Sequence, residues 1–286
     1  MQPDRPMFDP TAKPTKKIDV PKQASAGSDF IFDASKKPED VARIITHKEP
    51  RGGLVKNWSA SSLKLFETCR WRVYLQRVMK IASPQSDAAS RGELIHKQAE
   101  DYVRGEIGEL PDTLTKFDNK FRGEFEYMRE QYAESKVEVE GEWAFDIDWT
   151  PVAWMTSPVW AMMKLDILHW EDETCAKVVD YKSGKKWGNE ITHAGQGLIY
   201  AIGSFMRFPE LQYLEVFMWY IDEATKSIPM KYSRAAAMRH LPRLNDRAIT
   251  MTSAVKEDFV ATPSSHNCKW CPYSKDKTCE YRAEQF

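Results

Sequence analysis

The chain has no surplus of basic charge: 41 Lys and Arg stand against 42 Asp and Glu, a formal net charge of −1. A globally basic nucleic-acid coat is thereby excluded, and any nucleic-acid site must be a local patch. No apolar run approaches the length of a membrane span, and the first residues lack the apolar core of a secretory signal. These absences point to an intracellular, cytoplasmic setting with no membrane partner. Cysteine is scarce, five in 286 residues. In a reducing compartment those five are expected as thiols or metal ligands rather than disulfides. No internal repeat is visible. What is present is a core: 42 % hydrophobic and 12 % aromatic residues suffice for one large domain with appendages.

Residues 1–57 read as a flexible tail. Pro3, Pro6, Pro10, Pro14 and Pro21 are scattered among Lys, Asp and Ser with little periodicity. Phe30-Ile31-Phe32 is a segment through which the tail could meet a protein partner. A main domain is expected over 58–260 and a cysteine-bearing segment over 261–286. The main domain opens with a helix whose caps come from Ser59 to Ser62 and whose apolar face holds Leu63 and Phe66. Arg70, Arg72, Arg77 and Lys80 follow, interleaved with Trp71 and Tyr74, a mixture that suits either a nucleic-acid strand or a solvated face. A second helix covers about 90–103, and a charged helical stretch covers 113–135. Strands are expected at 137–147, 159–170 and 176–182, a helix at 190–207, a strand at 211–221, and a helical region at 233–255 interrupted at Pro242. The expected class is α/β: a central mixed sheet flanked by helices, in the order helix, three strands, helix, strand.

The chain is organised around Val178-Val179-Asp180-Tyr181-Lys182-Ser183-Gly184. Alternation along a strand puts Asp180 and Lys182 on one face. If Asp172 to Thr174 form a three-residue hairpin loop, Asp166 lies directly across from Asp180, close enough to share a cation. A register slip of one residue would turn Asp166 away. His96 lies one turn after Gly92, whose missing side chain leaves room for an approach. Gln196 and Tyr200 stand one turn apart on the helix that the Asp–Lys strand feeds. Carboxylates with a His suit a hard divalent ion such as Mg²⁺ or Mn²⁺, and a neighbouring Lys can hold water or phosphate. Glu142, on the preceding strand, is a further candidate ligand. The set asks for a metal-dependent phosphodiester hydrolase.

The ordered set Arg91-Gly92 with His96, Lys164-Leu165-Asp166-Ile167, Val179-Asp180-Tyr181-Lys182-Ser183-Gly184 and Gln196 with Tyr200 resembles the PD-(D/E)XK nuclease superfamily. The likeness is to its RecB-like exonucleases, which include CRISPR-associated and AddB-type members. It implies metal binding by His96, Asp166 and Asp180, a catalytic Lys182, and DNA contact or site support from Gln196 and Tyr200. It also implies a DNA exonuclease working by a metal-activated water, in bacterial or phage recombination, repair or CRISPR-like processing. The alternatives are an endonuclease with the same site, or a non-catalytic DNA-binding or assembly subunit. Met163 departs from the pattern, which usually has Gly three residues before the middle Asp.

Cys268-Lys269-Trp270-Cys271 and Cys279 form a second signal, three ready metal ligands in a short Pro-containing segment, with Cys69 the candidate fourth. One distant N-terminal Cys plus a C-terminal trio resembles the [4Fe–4S] staple of the same exonucleases. A Zn²⁺ ion on these thiols, or with His266 replacing one, is the alternative. Cys175, at the hairpin end, reads as a small structural residue.

Overall fold

The computed structural model describes residues 52–83, 86–115 and 121–283. Positions 1–51 of the expected tail, with Phe30 to Phe32, lie outside the described residues. The first helix, α1 (Ala60–Thr68), starts where the serines cluster. Ser62 N–H donates to Ser59 Oγ, and Ser59 N–H returns a bond to Ser62 Oγ at 2.8 Å, so two otherwise unmet amides are satisfied together. The chain becomes extended at Cys69 and then resumes as α2 (Arg70–Val73), which runs into a π-turn over Tyr74–Val78. Ser86 caps α3 (Asp87–Val103), whose buried stripe is Ile95, Ala99, Tyr102 and Val103. After α4 (Arg122–Ala133) come β1 (Val137–Phe145), β2 (Pro151–Val152), β3 (Ala161–Trp170) and β4 (Cys175–Lys182). Then follow α5 (Glu190–Arg207), β5 (Tyr213–Tyr220), β6 (Thr225–Lys226), β7 (Met230–Ser233), α6 (Arg234–Met238), α7 (Leu241–Thr252), α8 (Ser265–Lys269) and α9 (Pro272–Lys275).

The sheet runs β2-β1-β3-β4-β5-β6, with β7 also on β5. β1, β3 and β4 are antiparallel; β4 and β5 are parallel and joined by the α5 crossover, which makes the sheet mixed. This is the expected architecture. The strands β2, β6 and β7 were not anticipated, since two to four residues carry too little alternation to read. Pro242 does not interrupt a long helix. It sits in the first turn of α7, where its missing N–H costs nothing, and the break falls just before it.

Each sheet face has its own core. Trp143, Phe145, Leu165 and Val178 pack with Ile199, Ile202 and Phe205 of α5. Val137, Val139, Ile167, Val179 and Tyr181 pack with the stripe of α3 and with Phe125 of α4. Val139 and Trp143 are an even number of residues apart yet lie in different cores, as do Leu165 and Ile167. The cause is one disturbed step. The β1–β3 ladder pairs Val139 with Ile167 and Gly141 with Leu165 but omits Glu140 and Asp166 between them, and Glu140 takes a left-handed φ of 53°. Both strands turn their sides over at this step, at the level of the acidic residues.

The packed chain begins ahead of residue 57. Val55 and Trp58 are buried, Leu54 N–H donates to Ala254 O, and a Cβ on Gly53 would stand 2.1 Å from Thr252 O. Only glycine allows that approach. The aromatic-basic stretch after Cys69 does not form an open strand-holding face. Trp71 stacks on Tyr74 and meets Tyr281 edge-on, while Tyr74 packs on Phe259, so these rings are occupied within the fold. Tyr273 OH donates to Ile81 O at 2.7 Å, bringing the last helices onto the first. Among the described residues no helix is long and apolar enough to cross a membrane.

Candidate active site and thiol cluster

The β3–β4 ladder pairs Trp170 with Ala176 through to Ile167 with Val179. One further step in the same register sets Asp166 opposite Asp180, as the three-residue loop predicts. Asp180 is buried and turned toward α5. Its Oδ1 accepts from Tyr200 OH at 2.6 Å and from Gln196 Nε2 at 3.3 Å. Lys182 Nζ lies 2.5 Å from Asp180 Oδ2 and donates to Gln196 Oε1 at 2.9 Å. The Lys–Asp contact is an ion pair without hydrogen-bond alignment, so Asp180 Oδ2 is buried with no aligned donor among the described residues.

His96 approaches from α3. Its Nδ1 lies 2.8 Å from Asp166 Oδ1, while Asp166 Oδ2 accepts from the Tyr181 amide at 2.5 Å. A Cβ on Gly92 would stand 3.3 Å from Ser183 Oγ in the turn after β4, a tight contact that the serine side chain would have to ease. The third member, Glu140, went unremarked in the sequence. Its Oε1 is 3.9 Å from His96 Nδ1 and its Oε2 is 2.8 Å from Lys164 Nζ. Donor atoms of His96, Glu140 and Asp166 all lie within 4.8 Å of one another. Asp180 stands beside this trio and outside it. Glu142 is half exposed, its nearest charge Lys164 at 4.0 Å, so the strand offers Glu140 rather than Glu142. Met163 occupies the room that Gly203 of α5 leaves open.

Burial, with the charge of Asp180, pushes the Asp166 carboxyl up to about 6 against the pull of His96 and the Tyr181 amide. Burial alone would lower His96, but its bond to Asp166 and the charges of Asp166, Asp180 and Glu140 raise it. Both groups thus keep their protons to higher pH than the free side chains do. Carboxylate oxygens with one imidazole, at this spacing, fit Mg²⁺ or Mn²⁺.

At the opposite end of α1, Cys69, Cys268, Cys271 and Cys279 line one cavity. Burial and the three neighbouring thiols raise the Cys279 thiol, and the Ala283 amide donates to Cys268 Sγ. Among the described residues no three of the thiols fall within 4.8 Å of one another. Sulfurs around a zinc ion would stand about 3.8 Å apart. His266 is exposed on α8 and is not part of the cavity wall, and Cys175 lies far along the sequence at the start of β4, also outside it.

Among curated proteins none matches the chain. Two solved structures align with it at 12 % identity. SSO0001 gives a TM-score of 0.40 over 86 % of this chain and 95 % of that one. A candidate exonuclease from Eubacterium rectale gives 0.41 over 80 % and 91 %. The sequence profile of the PD-(D/E)XK nuclease superfamily matches residues 57–275, a span containing every member of the acidic site. The chain belongs to the PD-(D/E)XK nuclease superfamily.

Proposed function

We propose that the chain is a divalent-metal-dependent deoxyribonuclease that shortens DNA from its ends. The observation that carries this reading is the convergence of His96, Glu140 and Asp166 beside the Asp180–Lys182 pair. His96, Glu140 and Asp166, with Asp180 adjacent, would hold a Mg²⁺ or Mn²⁺ ion, which would acidify water and offset charge on the phosphate. The Lys182 ammonium, fixed between Asp180 and Gln196, is placed to hold a phosphate oxygen. Tyr200 and Gln196 fix the Asp180 carboxylate in one orientation. Action at DNA ends follows the resemblance to RecB-like exonucleases, as does a role in bacterial or phage DNA processing. The four thiols are assigned to a [4Fe–4S] cluster on the same resemblance, with zinc the alternative on the same ligands.

Two measurements test the reading. End-labelled DNA should shorten stepwise with Mg²⁺ or Mn²⁺ and stay whole with chelator. A protein that binds either ion and cuts nothing overturns the nuclease assignment. The ion should also raise the melting temperature more at pH 8 than at pH 5.5. Asp166 is raised above its unfolded value, so its charged form costs stability above about pH 6, and a cation removes that cost. At pH 5.5 the ion must first displace protons from Asp166 and His96. Saturation at 100 times the dissociation constant is worth about 2.7 kcal/mol, a rise of roughly 5–10 °C for a domain of this size.

A further inference from the structure

On the α1 side of the acidic site lies a cavity of ≈ 380 Å³. Its wall includes Asn57, Arg77, Trp154 and Lys164, and it shares Gln196 and Tyr200 with the Asp180–Lys182 cluster. The cavity therefore opens directly beside the atoms proposed to do the chemistry. Its volume is at the small end of pockets that hold small organic molecules, too small for a base pair with two backbones.

Two of its polar groups are cations, Arg77 and Lys164, set among the neutral Asn57, Ser59, Ser61, Gln196 and Tyr200. Arg77 is partly buried and donates to Asn57 Oδ1, and among the described residues no carboxylate meets it. Burial pushes its guanidinium below the ordinary value, and no acid among the described residues offsets this. The planar fork of a guanidinium suits phosphate. Lys164 adds a second ammonium, which reaches Glu140 at its other side. Trp154, in the connection between β2 and β3, is only partly buried, and among the described residues its ring makes no aromatic or cation contact. The buried Trp58 ring also borders the cavity, and among the described residues its Nε1–H has no partner.

We propose that this cavity seats one unpaired nucleotide next to the scissile phosphate, with Trp154 stacking on the base and Arg77 receiving phosphate. The assignment rests on the nuclease reading above and adds to it a requirement: the strand must be single at the site of cutting. Ring stacking tolerates any base, so the cavity selects unpaired ends without selecting sequence.

Fluorescence anisotropy with labelled oligonucleotides in chelator, where nothing is cut, tests the cavity apart from the chemistry. Wild-type protein should bind a single strand at least about tenfold tighter than a blunt duplex of equal length. Trp154→Ala and Arg77→Ala should each weaken single-strand binding roughly 5- to 100-fold, the range a lost base stack produces, and should abolish the preference. Trp154→Phe and Arg77→Lys, which keep a ring and a charge, should retain most of it and guard against loss of fold in the alanine variants. Equal binding of strand and duplex by the wild type overturns the proposal. So does unchanged single-strand binding in both alanine variants. If the preference and its loss appear but no DNA is cut with Mg²⁺ or Mn²⁺, the nuclease reading fails and the cavity stands. If DNA is cut and both alanine variants bind and cut as the wild type does, the cavity fails and the nuclease reading stands.

Discussion

Asp166→Asn should fold, melt no lower than the wild type at pH 8 without metal, and lose DNA cleavage by about 10³-fold or more. The argument starts from burial. Asp166 is 5 % exposed, and its carboxyl is pushed up to about 6 because its charge meets low dielectric and the neighbouring Asp180. Its charged form therefore costs the native state stability above that pH, a cost that disappears below the unfolded value near 4. Asn has the same shape, carries no charge, and can still accept from the Tyr181 amide and donate to His96. The metal-free variant is spared the penalty. The divalent ion, however, loses a ligand, and even residues that only support metal ligands carry 10–100-fold in affinity or activity. The signature is a variant as stable as its parent at pH 8 that has lost both cleavage and the ion-induced rise in melting temperature. Retention of that rise would remove Asp166 from the metal site.

Cys271→Ser should strip iron and sulfide from the purified protein and lower its melting temperature by about 10–20 °C. The proposed cluster on Cys69 and the C-terminal trio would close a loop of roughly 200 residues. The chain-entropy estimate for such a cross-link is about 5 kcal/mol, and each kcal/mol moves a domain of this size by about 2–4 °C. Cys271 is the buried member of the four, so a serine there also leaves a hydroxyl with few partners. Cys175→Ser is the control: that thiol lies near Thr174 Oγ1 outside the cavity, and its loss should shift melting little. Zinc in place of iron would keep the ligand set and discard the cluster. A protein without either metal that melts like its parent would discard the clasp.

The main elements were legible because long periodic segments dominate them. The stripe of α3 and the span of α5 follow directly from spacing, and the β3–β4 register follows from a short hairpin whose loop length fixes which carboxylates face each other. Glu140 was not legible, and the reason is physical. β1 and β3 are separated by a long connection, so no loop length sets their register, and Glu138, Glu140 and Glu142 are equivalent under simple alternation. What singles out Glu140 is the left-handed backbone at its own position and the side-reversal shared with Asp166. Left-handed backbone at a glutamate has no sequence signature. The stretch around Trp71 and Tyr74 left two readings open, because composition alone cannot tell a ring free to stack on a base from one stacked on its neighbour.

The first packed residues and the last helices meet each other through Asn267 and the Thr68 carbonyl, Tyr273 and the Ile81 carbonyl, and Tyr281 and the Trp71 ring. The exposed 155–158 turn lies between β1 and β3 in chain order. A single proteolytic nick in that turn leaves two fragments still held together at that seam and across the β1–β3 ladder. The acidic site would then be shared between the two fragments, with His96 and Glu140 on one and Asp166 and Asp180 on the other, so its geometry depends on the β1–β3 ladder holding.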